Sequence, residues 1–436
     1  MLPARTTVLI VGAGPSGLAA AVSLLQQGCH DVLIVDSVDG DGRLMSSRAI
    51  VLHAATLEAL ETIGCAESLV NMGLKKTDVE LYTGDGLFMQ MSFGLLDSYT
   101  RYPYGLIVSQ YSTERVLEER LEEMGLKVQR PYKLVSLDDG ANEGFVATFA
   151  SGEKVNANYV IGADGAKSTV RKMVKVGYTD PSTKPYGGKG IQAVTGDITL
   201  KTPLPLLKEE VIVRSLRENY FISFPVPKSP WPESYDHLKD GIFRIAFFIP
   251  DGYDTPPPSP SIEYFQKHLD KLRPLDFDSK DLQPFQIDEV LWSTRFKVQA
   301  AIADKFFVRI RSPGQEDTCR VVFLVGDAAH THPPVGGQGM NLGLRDAIGL
   351  GPVIVKHMEM CASGAQEADK IMEDYASSRR ARAMNTIDFT KRTMTWLFSL
   401  ESSRWFRSIS WMVKLAMSIP VINRMWPWRA SGLGNR

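Results

Sequence analysis

Three glycine-bearing stretches carry the chemistry open to this sequence. The first, TTVLIVGAGPSGLAAAVSLLQQGCHDVLIVDS, spans residues 6–37. Gly12, Gly14 and Gly17 form GxGxxG between a short β-branched run and a helical stretch over residues 15–27, and DVLIVD supplies a second strand. The first glycine permits a tight turn, the second lets a pyrophosphate approach the backbone, and the third lets helix and strand pack closely. Free N–H groups at the helix start, with the positive end of its dipole, would face the phosphates. Asp36 follows the last glycine by about 20 residues, where a carboxylate accepts bonds from ribose hydroxyls. It would repel a 2′-phosphate, so this site suits FAD or NAD better than NADP.

The second stretch, NYVIGADGAKSTVRK, spans residues 158–172. Its apolar strand ends at Asp164-Gly165, which also fits an ordinary turn. The third, VVFLVGDAAHTHPPVGGQGMN, spans residues 321–341. It too is a strand ending in Gly-Asp, and Asp327 stands where open α/β sheets bind ligands. Pro333 and Pro334 stiffen the loop that follows, and Gly336, Gly337 and Gly339 strip it of side chains. Asn341 is expected to begin a helix running to about Lys356. Such bare backbone, at a helix N-terminus that favours negative charge, suits the flat face of a reduced flavin.

The elements that must position these stretches belong to a chain of 436 residues, enough for two or three domains. Apolar residues make up 44% and charged residues 23%, and the net charge of −1 leaves no electrostatic footprint for nucleic acid. Cys29, Cys65, Cys319 and Cys361 form no CxxC pair and read as buried, reduced thiols in a reducing compartment. A signal peptide, a spanning helix and an internal repeat are not evident. The middle of the chain reads as antiparallel sheet: AVTGDITL, EEVIVRS, NYFISFPVP, IFRIAFFIP and IDEVLWSTRF alternate or are rich in β-branched and aromatic residues. TPPPSPS, residues 255–261, is a stiff connector into the helix IEYFQKHLDKL, whose Ile262, Phe265 and Leu269 share one side.

In this order the motifs resemble the single-component (class A) FAD-dependent aromatic hydroxylases of the para-hydroxybenzoate and phenol hydroxylase type. SRAIVLHAATLEALETIG, residues 47–64, is similar to their Arg-Ala segment, and VSQYSTERVLEERL, residues 108–121, to their Gln-led helix. The resemblance covers most of residues 6–385 and is loose over about 176–300. It implies an α/β fold: a Rossmann-like, glutathione-reductase-type FAD domain with an antiparallel-sheet substrate domain and C-terminal helices. The FAD domain would be built from residues 1–75, 101–178 and 296–357, and the substrate domain from 76–100 and 179–295. Residues 358–436 would form the C-terminal helical region, and no thioredoxin-like extra domain is expected.

The resemblance also assigns roles. Gly12, Gly14, Pro15, Ser16 and Gly17 would hold the FAD pyrophosphate, and Asp36 with Ser37 the adenosine ribose. Arg48 would lie near the pyrophosphate and ribityl chain and Gln110 near the ribityl, although a solvated charge and a helix cap are the respective alternatives. Asp164 and Gly165 would belong to a motif shared by FAD and NAD(P)H. Gly326 and Asp327 would bind the ribityl chain. Gly336, Gly339, Met340 and Asn341 would line the flavin ring, and the Pro334 carbonyl would face the place where flavin and substrate meet. The implied activity is a monooxygenase: NAD(P)H reduces the flavin, O2 gives a C4a-hydroperoxide, and one oxygen atom passes to a phenolic or polyketide-like ring. A family habit, not a residue, points to NADPH rather than NADH.

The family's phenol hydroxylases place an aspartate near the substrate hydroxyl, where this chain has Ile50 with His53 close by. His53 is therefore the candidate base, its imidazole titrating near neutral pH, with a packed histidine as the alternative. His330 and His332 read as loop-shaping residues, and no metal site is expected. Tyr220, Phe224 and Trp292 are candidate substrate walls, each also open to plain core packing. KPYGGKG, residues 184–190, is a basic loop that would be solvated or meet a nicotinamide phosphate.

The tail TMTWLFSLESSRWFRSISWMVKLAMSIPVINRMWPWR is rich in Trp and Met, carries Arg404, Arg407, Lys414 and Arg424, and is broken at Pro420. Packing or a homodimer face is the first reading of it, and peripheral membrane contact the second. The expected location is cytoplasmic. The competing activities are an FAD-dependent epoxidase or ring-modifying oxygenase on an apolar non-aromatic substrate, a flavin reductase without oxygen insertion, and a non-catalytic flavin-binding module.

Overall fold

The computed structural model describes residues 1–39, 48–83, 86–140, 144–181, 191–202, 210–216, 219–227, 238, 241–249, 255–272, 286–310, 320–361, 365–402, 411–413, 415–416 and 419–435. The basic loop at 184–190, Cys319, Arg404, Arg407 and Lys414 lie outside these.

The first sheet is built on parallel strands, in the order Phe307–Arg309, Val321–Leu324, Lys154–Gly162, Arg5–Val11 and Val32–Val35. Strand Phe307–Arg309 runs antiparallel at one edge, and strands Leu134–Asp139 and Phe145–Phe149 branch off Lys154–Gly162. The four parallel strands are near-continuous apolar runs because helices cover both faces. Val8, Leu9 and Ile10 are fully buried, as are Ile161, Val322 and Leu324. Helix Pro15–Gln26 has proline in its first turn, where no N–H is missed. It packs against helix Gln338–Cys361, which starts one turn earlier than the sequence suggested. The cause is local: Gly336 and Gly337 adopt φ of +76° and +63°, completing the turn before Gln338.

The second sheet has seven strands, in the order Ile287–Lys297, Gln192–Leu200, Ile242–Ile249, Asn219–Val226, Ile212–Leu216, Asp78–Thr83 and Gly86–Ser92. It is not wholly antiparallel. Ile212–Leu216 pairs with Asp78–Thr83 in parallel, because the last two strands arrive from a distant part of the chain. One face packs Phe221, Phe243, Phe247 and Ile245 under helix Ile262–Leu272, whose Phe265 and Leu269 are buried there. The proline connector is pinned to the edge strand: Ser293 Oγ donates to the Pro260 carbonyl (2.7 Å) and Arg295 N to that of Pro258 (3.2 Å). The opposite face turns toward the first sheet and the helix Ala365–Ser402; Ser215 Oγ there donates to the Leu397 carbonyl (3.3 Å).

A buried ion pair fastens that inner face. Asp197 stands directly opposite Arg244 on one neighbouring strand and Trp292 on the other. Arg244 makes a two-pronged contact with Asp197, 2.7 Å at each prong, and Trp292 Nε1 donates to the same carboxylate at 2.7 Å. The third arm of the guanidinium, Nη1, reaches the carbonyls of Arg48 and Ala49, 3.1 Å each, so the sheet is bonded to the Arg-Ala segment.

Cys29 and Cys65 are free thiols, but Cys361 is disulfide-bonded, which corrects the expectation of four reduced cysteines. Among the described residues no helix is long and apolar enough to cross a membrane, and no metal-binding group of side chains is found.

Replacing Arg244 by Met should strand the buried Asp197 carboxylate and cost about 3–5 kcal/mol in urea unfolding. The double variant Arg244→Met, Asp197→Leu should recover most of that loss. Equal destabilisation by the single and double variants would show that the pair is not what holds the segment.

Candidate active site

The three glycine loops leave the C-terminal ends of three adjacent parallel strands; the third meets the first at Ser16, and the second meets the first at Gly12 and Gly17. A Cβ on Gly326 would stand 2.4 Å from Ser16 Oγ, and one on Gly343 2.5 Å from it. Behind them, a Cβ on Gly12 (φ +104°) would fall 2.4 Å from the Ala163 carbonyl oxygen, and one on Gly17 only 1.9 Å from that of Gly12. These glycines exist for packing. Gly14 and Gly165 differ: nothing lies within 4 Å of a Cβ at either, and Gly14 immediately precedes the first turn of helix Pro15–Gln26. Space for a ligand beside a helix N-terminus is therefore found where a pyrophosphate would lie.

Asp36, just after strand Val32–Val35, accepts from Ala13 N (2.6 Å) and Val38 N (2.8 Å), which fixes its carboxylate beside the glycine turn; Ser37 is exposed next to it. Asp164 is turned onto its own helix, accepting from Thr169 N (2.6 Å), Val170 N (3.1 Å) and Ser168 Oγ. It thus caps helix Thr169–Met173. Asp327 opens onto the cleft yet stands among dense protein. Desolvation there raises its carboxyl above the usual aspartate range, while His330 and Arg48 pull it down. Hydroxyl donors at this place would relieve that desolvation.

Gln110 is neither a cap nor a ribityl contact alone. Ser109 caps helix Gln110–Glu123, and Gln110 Oε1 accepts from Arg48 N (3.3 Å) and Ala49 N (3.4 Å). Arg48 is exposed, its backbone held by Gln110 from one side and Arg244 from the other.

The loop before helix Gln338–Cys361 is knitted to the segment that follows Arg48. Asn341, 1% exposed, accepts from His53 N (2.8 Å) and donates to the carbonyls of Val51 (2.8 Å) and Gly337 (2.6 Å). His53 Nε2 pairs with the Gly336 carbonyl at 2.7 Å; a carbonyl only accepts, so this nitrogen carries the proton. Nδ1 is buried without a partner, and burial, opposed by Gly336 and assisted by Arg345, lowers the imidazole to about 4. With Nε2 engaged and Nδ1 enclosed, this geometry favours the packed alternative for His53. Its ring instead stacks on Phe93, 5.8 Å between centroids. The Pro334 carbonyl accepts Gly337 N (3.2 Å), closing the turn, and Met340 packs into the main core. His332 sits beside Gly339 and is lowered to about 4 by burial, and His330 pairs with Asp346 at 2.9 Å.

Tyr220, Phe224 and Trp292 all lie on the inner sheet face, but with different neighbours. Tyr220 is buried against Phe248 and Phe398, Phe224 packs near Ile50 and Val51, and Trp292 is tied to Asp197. Residues that the sequence reading missed complete the site. Arg171 bonds the carbonyls of Ala328 and Ala166, 2.8 Å each, joining the second loop to the third, and lies 3.7 Å over the Tyr178 ring. Asp197 and Arg244 had a signal: each is a lone charge inside an otherwise apolar strand.

The profile of a family described as FAD binding domain matches residues 5–221 and 278–390. The chain belongs to the FAD-dependent aromatic hydroxylases. It is 27% identical over 389 residues to a rifampicin monooxygenase of Streptomyces venezuelae, covering 88% of this chain and 70% of that one. It is 28% identical over 404 residues to a 12-dehydrotetracycline 5-monooxygenase/anhydrotetracycline 6-monooxygenase of Streptomyces rimosus, covering 89% and 69%. A p-nitrophenol 4-monooxygenase of Pseudomonas putida shares the fold over the full length of both chains, with a TM-score of 0.75 at 20% identity. This hydroxylase is an FAD-dependent monooxygenase, and the open space at Gly14 and Gly165, the fixed Asp36 and the exposed Asp327 carboxylate fit that cofactor.

Two glycine variants separate packing from binding. Gly17→Ala should lower the thermal midpoint of the apoprotein, since its methyl meets backbone. Gly14→Ala should leave that midpoint unchanged and weaken FAD in a fluorescence titration. A destabilised Gly14→Ala apoprotein would remove Gly14 from the ligand space.

The histidines make stability pH-dependent. With folded values near 4 for His53 and His332, below the free value of about 6.5, the unfolded chain binds more protons between those limits. Stability should be full above about pH 6.5 and fall toward pH 4, each histidine contributing at most about 1.4 kcal/mol per pH unit. His53→Gln should flatten the slope of stability against pH by about one histidine's share; an unchanged slope would mean that His53 is not held neutral.

Proposed function

We propose that this hydroxylase inserts one atom of O2 into a large phenolic or polyketide-like ring, with NADPH or NADH as reductant. The supporting observation is the cluster that joins the ring loop to the inner sheet face. Val335 of the loop packs in one apolar group with Leu81, Met89, Met91, Val213, Tyr220 and Phe248, against which Trp426 also lies. Met and aromatic side chains grip a flat apolar molecule without demanding charge. The relatives named for rifampicin and anhydrotetracycline favour a large aromatic over phenol itself.

The bound flavin would supply the oxygen-transfer chemistry. The chain's own residues bind and orient. The N–H groups at the start of helix Pro15–Gln26 take the pyrophosphate, Asp36 the ribose and Asp327 the ribityl hydroxyls. Arg48, set by Gln110 and Arg244, places its charge along the same chain, and the backbone of residues 336–341 lies along the ring. His53, neutral and enclosed, holds the Gly336 carbonyl in place. Phe93, Trp426 and the sheet face exclude water where the substrate would sit. The substrate part is then residues 76–100 with 179–295. The exposed Trp411, Met412, Leu415, Val421 and Met425 support a dimer face, since the Arg424 cation is turned onto the Tyr99 ring rather than outward.

Oxidation of NADH and NADPH by the purified holoenzyme in 18O2, with phenols, benzoates and polyketide phenolics, tests the reading. One compound should accelerate oxidation and gain a single labelled oxygen atom. Accelerated oxidation with no label in any product would mark the compound as a pseudo-substrate or the enzyme as a reductase. Labelled product only from non-aromatic lipids would favour the epoxidase.

A further inference from the structure

The segment Pro420–Asn435 meets the ring loop at a feature that glycine motifs do not explain. Helix Pro420–Ala430 ends in a turn in which Gly432 takes φ +75°. Three consecutive carbonyls of that turn are taken by three donors from two other helices. Gln338 Nε2, at the first position of the long helix, donates to Ala430 (2.8 Å) and also to Gly336 (2.8 Å). Ala55 N, in the first turn of helix Ala54–Thr62, donates to Ser431 (3.1 Å). Arg345 Nη1 donates to Gly432 (3.2 Å), while its Nε reaches the Asn341 carbonyl (3.4 Å).

The surroundings are dry. Ala430 and Leu433 are buried with Ala54, Ala55, Phe93 and Leu96. Trp426 sets its edge against Phe93 (6.2 Å), whose other partner is His53. Carbonyls at a helix C-terminus carry partial negative charge, which suits the guanidinium of Arg345, buried to 7% exposure. Each of the three donors sits within one turn of a residue that touches the loop: Gln338 beside Gly337, Ala55 beside His53, Arg345 beyond Asn341.

We propose that the turn at residues 430–432 is a latch of the cofactor site, its three carbonyls holding Gln338, Ala55 and Arg345 and so fixing loop 333–341 in the shape that retains FAD. The inference rests on the reading that this loop lines the flavin ring. Its residues are positioning residues, since none of the three carbonyls faces the loop's open side directly.

The test uses the holoenzyme and reads FAD release by the rise of free-flavin fluorescence after dilution. Gly432→Ala attacks the latch from outside the cofactor site: its methyl would fall 2.7 Å from Arg345 Nη1, at a positive φ. Ala55→Pro removes the donor to Ser431 and puts a ring carbon against that carbonyl, at a first-turn position that tolerates proline in the helix itself. FAD should leave Gly432→Ala about tenfold faster, a change of about 1.4 kcal/mol if rebinding is unaltered, and Ala55→Pro more modestly in the same direction. The Gly432→Ala apoprotein should lose some thermal stability to its strained φ, so release is compared at a temperature where every variant is fully folded. Asn341→Ala, inside the loop, is the control. If Asn341→Ala speeds release while both latch variants release FAD at the parent rate, the latch is overturned and the loop assignment stands. If all three release FAD at the parent rate, the loop assignment falls and the latch with it. A Gly432→Ala apoprotein that is destabilised with unchanged FAD release would mark the turn as structural only, which also overturns the proposal.

Discussion

The constraint on which the site depends is the lack of room between the three glycine loops. Three loops, from the ends of strands Arg5–Val11, Lys154–Gly162 and Val321–Leu324, approach so closely that Gly12, Gly17, Gly326 and Gly343 each exclude a methyl group. A parallel sheet delivers strand ends to one edge, and the glycines let the loops converge there rather than splay. Because these contacts are backbone against backbone or against one hydroxyl, they transmit position rigidly. Arg171 then bolts the second loop to the third through the Ala166 and Ala328 carbonyls. The cofactor space is what remains where glycine is not filled, beside Gly14 and Gly165.

The second sheet must be placed against that edge, and apolar packing alone would let it slide. The Asp197–Arg244 pair supplies direction. Burying two charges costs several kcal/mol each, and a replacement by apolar residues would often be as stable. The pair here does something an apolar pair could not: the spare arm of Arg244 reaches the Arg48 and Ala49 carbonyls, and Gln110 takes the N–H groups of the same two residues. The peptide unit between Arg48 and Ala49 is therefore gripped on both its donor and acceptor sides. That grip sets where the exposed Arg48 side chain can go, and links the substrate sheet to the cofactor edge through hydrogen bonds of fixed geometry.

What could be read from sequence follows this division. The glycine turns, the acid after strand Val32–Val35 and the five strands of the middle region were legible because each depends on neighbours a few residues away. Roles that depend on distant partners were not. His53 looked like a base because imidazole titrates near neutrality. Enclosure beside Gly336, 283 residues away, removes that property. Asn341 looked like a helix start, yet its side chain is spent on Val51 and His53. Asp197 and Arg244 were visible as lone charges in apolar strands, but only the register shows that they face each other. The parallel pairing of Ile212–Leu216 with Asp78–Thr83 had no local signal at all.

The ring loop shows why so many polar groups are buried together at one place. Residues 333–341 combine two prolines, which restrict the unfolded chain, with three glycines, which free it. Ordering each glycine costs about 1–2 kcal/mol of backbone entropy, and no side chain there contributes apolar burial in return. A single net hydrogen bond, worth about 1 kcal/mol, does not hold such a segment. Several are needed; the segment supplies most of them from its own residues, and His53 adds one from outside. The Gly336 carbonyl takes both His53 and Gln338, the Gly337 carbonyl takes Asn341, and Pro334 takes Gly337 N. A backbone kept bare for a flat ligand borrows part of its order from its neighbours. In this chain the neighbours come from residues 51–55 on one side and, through Gln338 and Arg345, from residues 430–432 on the other.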